Sequence, residues 1–159
     1  GRLWGGEYPG DKDPTLAQER LERLLDAGIT HFINLTEADE RSDHYDAFVA
    51  ALAANRDTAV SHQRISIRDY STPTPETLNQ ILDKIDASLA QGNHVYVHCW
   101  GGIGRTGTVI GCWLVRHGIS GEQALDHIAE WRKDTPKGDV ESPETLEQRN
   151  MILNWHESE

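Results

Sequence analysis

Between Val95 and Val115 the chain passes from a β-branched and aromatic triplet, Val95-Tyr96-Val97, through three glycines in five residues, into an apolar segment. The triplet reads as a strand. Val109, Ile110, Cys112, Trp113, Leu114 and Val115 are apolar nearly all round, which predicts a helix buried at the centre of the domain. Arg116 and His117 fall in its last turn, and Gly118 can end it. A strand that turns through glycines straight into a central helix narrows the fold to a layered α/β arrangement.

The flanking segments alternate in the same way. Asp13-Pro14-Thr15 supplies a cap and a first-turn proline for a helix carrying Leu16, Leu21, Leu24 and Leu25, stopped by Gly28. Thr30–Leu35 reads as a strand. From Ser42 the positions Tyr45, Phe48, Val49 and Leu52 step by three and four, as in an amphipathic helix. A strand is expected over His62–Ile67, followed by the turn Asp69-Tyr70-Ser71-Thr72-Pro73. Thr74 and Pro75 then open a helix whose buried face is Leu78, Ile81, Leu82, Ile85 and Leu89, with Gly92 just past its end. After the central helix, Ser120-Gly121-Glu122-Gln123 spells a capping box. Ser142-Pro143-Glu144 opens a last helix reaching about Trp155. The expected fold is a single domain over residues 1–159, with a central, mostly parallel sheet flanked by helices.

Length and charge exclude some partners. At 159 residues the chain can bury a real core without staples. Fifteen basic against 26 acidic residues give a net charge of −11, which argues against nucleic acid and anionic membrane surfaces. Val109–Val115 is far shorter than a spanning helix requires. The two cysteines, 13 residues apart, form no disulfide framework, so a reducing compartment such as the cytoplasm is expected. The chain starts at Gly1 and its one methionine is Met151, so the native start is absent or processed; a domain cut from a longer protein fits that pattern.

The chemistry is concentrated in His98-Cys99-Trp100-Gly101-Gly102-Ile103-Gly104-Arg105-Thr106-Gly107-Thr108. The glycines let the backbone of Trp100, Gly101, Gly102, Ile103 and Gly104 close into a cup whose N–H groups point inward. The helix behind it adds partial positive charge, and together they form a cradle for phosphate. Arg105, at the far end, can bind two phosphate oxygens with its planar fork. Cys99 lies at the focus of these dipoles, an environment that favours a thiolate nucleophile over an inert thiol. A buried structural cysteine beside a loop is the plain alternative.

His-Cys-x-x-Gly-x-Gly-Arg-Thr-Gly resembles the signature of the cysteine-based protein tyrosine and dual-specificity phosphatases. Gly6-Glu7-Tyr8-Pro9-Gly10 and Ser142-Pro143-Glu144-Thr145 are similar to flanks of a bacterial dual-specificity-like group. The resemblance implies that Cys99 attacks phosphorus to form a phosphocysteine, and that Arg105 stabilises the equatorial oxygens. It implies that the Thr106 hydroxyl bonds the sulfur and that His98 supports the loop. A metal would need ligands beyond His98 that the sequence does not place, so neither metal nor cofactor is expected.

The general acid implied is Asp69, 30 residues before Cys99 on the loop after the third expected strand. A turn aspartate or helix cap is its plain alternative, and the Trp-Pro-Asp form of receptor-type members is absent. In related phosphatases a C-terminal glutamine positions the hydrolytic water; Gln148 fits that place, and equally a surface helix. Glu37 and Tyr45 flank a loop that would form a pocket wall. Cys112 reads as packing. Trp100 is expected to face outward beside the pocket mouth.

The function expected is metal-independent phosphomonoester hydrolysis, with a phosphorylated protein as substrate. A small phosphorylated metabolite or inositol phosphate is the second candidate, although residues 100–104 contain none of the lysines of lipid-directed relatives. A phosphate-binding pseudophosphatase is the alternative outside catalysis, and the presence of Cys99, Arg105, Thr106 and Asp69 argues against it. Sulfurtransferases and arsenate reductases also use a cysteine loop ending in arginine, without this glycine pattern.

Overall fold

The two inner strands of the central sheet bury side chains on both faces, and that alternation organises the molecule. The computed structural model describes residues 2–41 and 43–156. Its elements run β1 (Leu3–Gly6), α1 (Pro14–Asp26), β2 (His31–Asn34), α2 (Asp46–Ala54), β3 (Ser61–Arg64) and α3 (Pro75–Ala90), then β4 (Val95–His98), α4 (Gly104–Arg116), α5 (Gly121–Arg132) and α6 (Leu146–Asn154). The four strands lie in the order β1-β4-β2-β3, all parallel. Ile33, Val95 and Val97 point into a core shared with α3, α4, α5 and α6. Phe32 and Tyr96 point into a second core with Tyr8, Leu21, Val49 and Leu52, built on α1 and α2. A parallel sheet needs both faces covered, and here both are.

The caps read in the sequence are present. Asp13 accepts from Thr15 N, Thr74 from Thr77 N, and Ser120 with Gln123 closes its capping box. Leu78, Ile81, Leu82 and Ile85 are buried as the periodicity of α3 requires. In α1 the expected Leu16 is exposed, and Ala17 and Leu21 carry the contact. Central α4 buries Val109, Cys112 and Leu114 together with the small residues Gly107, Thr108 and Gly111, whereas Ile110, Trp113 and Val115 are only half-buried.

Several boundaries differ from the sequence reading; strand β3, expected over His62–Ile67, runs Ser61–Arg64. Strand β1 was not foreseen, because Leu3-Trp4-Gly5-Gly6 has no alternating pattern; pairing with Val95–His98 imposes its conformation. Helix α2 begins at Asp46, with Tyr45 at its N-cap, while Ser42, read as its start, lies outside the described residues. Helix α6 begins at Leu146, capped by Thr145 in a box with Gln148. Ser142-Pro143-Glu144 therefore does not open it; this segment, with a cis Ser142–Pro143 bond, crosses the end of the glycine loop instead. The helices that follow β2 and β4 pack on opposite faces, α2 on one and α4 on the other. The loops leaving these adjacent strands therefore diverge, and open parallel sheets bind ligands in the crevice this creates.

Candidate active site

The glycine loop is fixed from four sides. Its inner turn uses Gly102 at φ +73°, where a Cβ would lie 2.5 Å from the Gly6 carbonyl carbon, so the loop presses directly on the end of β1. Tyr8 N–H donates to the Trp100 carbonyl at 2.8 Å, and Ser142 Oγ donates to the Ile103 carbonyl at 2.6 Å. Arg41, ion-paired with Asp43, stacks over the rings of Tyr8 (4.5 Å) and Trp100 (4.3 Å).

Beneath the loop, His98 is completely buried. The Cys99 carbonyl, 3.2 Å from Nδ1, can only accept, so Nδ1 carries the proton; Nε2 then accepts from the Tyr45 hydroxyl at 2.5 Å. Burial pushes the imidazole down to about 3, so it stays neutral and holds this tautomer. The depressed value also sets an acid limit. Between about pH 6.5 and 3 the unfolded chain binds a proton that the folded chain refuses, so stability falls with pH by up to about 1.4 kcal/mol per unit. Denaturant titrations from pH 7 to 4.5 should show this slope, and His98→Asn should flatten it. Tyr45 is thus a support under the loop and not a wall of the pocket, as the sequence reading had placed it. Glu37 does not line the cleft either; its N–H donates to the Glu40 carboxylate.

Cys99 Sγ receives the Thr106 hydroxyl at 3.1 Å, at the first turn of α4. Arg105 is 1% exposed. Its Nη1 donates to Glu40 Oε1 (2.6 Å), the Ile67 carbonyl (2.9 Å) and the Leu35 carbonyl (3.4 Å), and its Nη2 to Glu40 Oε2 (3.0 Å). Asp69 Oδ1 lies 3.4 Å from Nη2. The Nε–H has no partner among the described residues, a buried donor that a ligand oxygen would satisfy. Burial raises the Glu40 carboxyl, but the Arg105 hydrogen bonds, the Glu37 N–H and the charges of Arg105 and Arg64 together outweigh it and hold the group below the usual carboxylate range.

Glu40 was not among the sequence candidates. It stands among Glu37, Asp39 and Asp43 in what looks like a solvated acidic loop. The available signal was indirect: an arginine at the start of a buried helix demands a carboxylate partner.

The cleft above the sulfur encloses about 380 Å³ and is lined by Asp69, Tyr70, Cys99, Trp100, Gly101, Ile103, Gly104, Arg105 and Glu144. Asp69, Cys99 and Arg105 are thus brought together, with Thr106 behind the sulfur. Trp100 is 53% exposed, outward at the mouth as expected, and Tyr70 is 65% exposed beside it. Gln148 is buried and packs against Gly104, so it is no surface residue. Its Oε1 accepts from Thr145 N–H and its Nε2 donates to the Ser71 carbonyl, which leaves one amide hydrogen for a water. Cys112 is buried, and burial pushes its thiol up to about 12, in keeping with packing. Another cavity of about 400 Å³, behind α4, is walled by Leu3, Trp4, Ile110, Trp113, Ile128 and Trp131; neither Cys99 nor Arg105 lines it.

Comparison with known proteins agrees with this geometry. The family model described as "Polymorphic toxin system, DSP-PTPase phosphatase" matches residues 5–119. The uncharacterized protein MJECL20 of Methanocaldococcus jannaschii is 38% identical over 91 residues, which are 57% of this chain and 56% of that one. The phosphatidylglycerophosphate phosphatase PTPMT1 of Arabidopsis thaliana is 29% identical over 114 residues, 70% of this chain and 32% of that one. The chain therefore spans between a third and just over half of these relatives' lengths. The crystal structure of Tk-PTP in its active form superposes with a TM-score of 0.69 at 28% identity, covering 96% of this chain and 89% of that one.

Proposed function

Because the chain belongs to the DSP-PTPase phosphatase family, within the cysteine-based tyrosine and dual-specificity phosphatase superfamily, we propose that it hydrolyses phosphomonoesters through a phosphocysteine. The observation that carries the reading is the convergence on one cleft of one thiol, one buried guanidinium with an unmet Nε–H, and the loop residues Trp100, Gly101, Ile103 and Gly104. Cys99 attacks phosphorus in line, and the loop N–H groups of residues 100–104 with Arg105 take the charge of the equatorial oxygens. Thr106 donates to the sulfur and eases its departure in the second displacement. Asp69, at the mouth, protonates the leaving oxygen. Gln148, through its remaining amide hydrogen, is placed to meet the attacking water. No step asks for a metal, and the thiol must stay reduced, which suits the cytoplasm.

For substrate we favour phosphotyrosine on a protein. Tyr70 and Trp100 put two exposed aromatic rings at the mouth, the latter with Arg41 stacked on one face, and an aryl ring packed on either would gain about 1 kcal/mol beyond area burial. The similarity to PTPMT1 keeps a small or lipid phosphoester as the second reading. Against a multiply phosphorylated one stand Asp69 and Glu144, two carboxylates that would repel a further phosphate.

The test is a panel of phosphotyrosine, phosphoserine and phosphothreonine peptides, phosphatidylglycerophosphate and inositol phosphates, assayed with a chelator present. Phosphotyrosine peptides should turn over fastest, and vanadate should block the reaction. Asp69→Asn should lower kcat at least tenfold with little change in KM, and should hold phosphopeptide as a trap. Preference for an inositol polyphosphate, or dependence on metal, would overturn the reading.

A further inference from the structure

A second carboxylate shares the cleft with Asp69. Glu144 lines the same space as Cys99 and Arg105, and its Oε1 would lie only 2.6 Å from a Cβ at Gly104. A side chain at this position would push the Glu144 carboxylate aside. Among the described residues, Glu144 makes neither a hydrogen bond nor an ion pair, whereas Asp69 is paired with Arg105 and accepts the Tyr70 N–H.

The segment carrying Glu144 is nonetheless held in place. Ser142 Oγ fastens it to the Ile103 carbonyl of the loop. On its other side Thr145 and Gln148 close the α6 capping box, and Gln148 Nε2 reaches the Ser71 carbonyl on the Asp69 loop. A carboxylate with no partner, clamped between the nucleophile loop and the acid loop, is placed for proton transfer and has no structural bond to make.

We propose that Glu144 is a second acid–base residue of this cleft, sharing with Asp69 the proton transfers of both displacements. The proposal rests on the phosphocysteine reading. In the first displacement the S–P bond forms while the P–O bond breaks, and the leaving oxygen takes a proton from one of the two carboxyl groups. In the second, a water oxygen bonds to phosphorus, the P–S pair returns to sulfur, and the water proton restores that carboxyl. Both side chains reach solvent, so protons equilibrate between them from one turnover to the next.

The charged groups facing Glu144 are Asp69, Arg105 and Lys137. Burial and the Asp69 charge push its carboxyl above the usual range, and Arg105 and Lys137 pull it back in part. Glu144 therefore keeps a proton at a pH where an ordinary glutamate would not, and should extend activity on the alkaline side.

Five proteins decide the matter: wild type, Asp69→Asn, Glu144→Gln, Glu144→Asp and the Asp69→Asn/Glu144→Gln double variant. Each is assayed from pH 4.5 to 8 on an activated aryl phosphate and on an alkyl phosphate, whose leaving group needs the acid more. Glu144→Gln should lower kcat about tenfold on the alkyl ester, with less effect on the aryl ester, and should shift the alkaline limb to lower pH. Glu144→Asp should recover part of the loss. The double variant should fall by about 10³-fold, beyond the product of the two single losses, because neither carboxyl then covers for the other. An unchanged pH profile in Glu144→Gln, or a double variant no slower than Asp69→Asn, would overturn the assignment. Quenched-flow trapping of phosphocysteine in the wild type separates this from failure of the underlying reading: no trapped intermediate sinks the phosphocysteine route itself.

Discussion

Cys99→Ser should abolish hydrolysis, with kcat falling on the order of 10⁴–10⁶-fold, as when a covalent nucleophile is deleted elsewhere. The replacement is nearly isosteric, and Thr106 Oγ1, 3.1 Å from the sulfur, can still donate to the new oxygen. What is lost is the sulfur nucleophile. A serine hydroxyl does not ionise near neutral pH, and no residue described beside it is a general base in the manner of a serine hydrolase: the one histidine nearby, His98, is neutral but has both nitrogens engaged by Tyr45 and the Cys99 carbonyl. Phosphate binding should survive, since the loop backbone and Arg105 stay in place. Calorimetry with inorganic phosphate should thus give an affinity close to that of the wild type. Hydrolysis within tenfold of wild type would remove Cys99 from its role, and with it the phosphocysteine.

The residues of that machinery differ in how openly the sequence displays them. The loop was legible because its chemistry is local: Cys99, the glycines, Arg105 and Thr106 lie within eight positions, between a strand and a helix whose patterns are strong. Helix α3 was legible for the same reason, with its cap and apolar face both written in consecutive turns. The partners of the loop were not. Glu40 meets Arg105 across 65 positions, and nothing in its acidic neighbourhood marks one carboxylate above the others. Tyr45 reaches His98 across 53 positions, and its helical spacing looks like ordinary packing.

Strand β1 shows the same limit at the level of backbone. Leu3–Gly6 is extended because β4 offers it a hydrogen-bonding edge, which is tertiary information. Glu144 was misplaced for a different reason. Ser-Pro-Glu resembles a helix start, and the stronger signal one step later, Thr145 with Gln148 three residues on, takes the cap. That shift of the boundary frees Glu144 from the helix and puts it in the cleft.

Arg105→Lys should cost about 10³-fold in kcat/KM even though the charge is kept. Lysine carries one nitrogen where arginine carries three. The present side chain uses Nη1 and Nη2 to hold Glu40 and the Ile67 and Leu35 carbonyls, and keeps Nε–H for a phosphate oxygen. One ammonium cannot do both. If it pairs with Glu40, the transition-state charge goes unmet; if it turns to the phosphate, Glu40 and two carbonyls lose their donor. Each buried acceptor left unsatisfied costs about 1–3 kcal/mol, so the variant should also melt several degrees lower. Phosphate should raise the Tm of the variant less than that of the wild type, because an ammonium drawn to the cleft leaves Glu40. Near-normal kcat/KM in Arg105→Lys would mean that simple charge suffices and that the fork, with its free Nε–H, has no part in stabilising the transferring phosphoryl group.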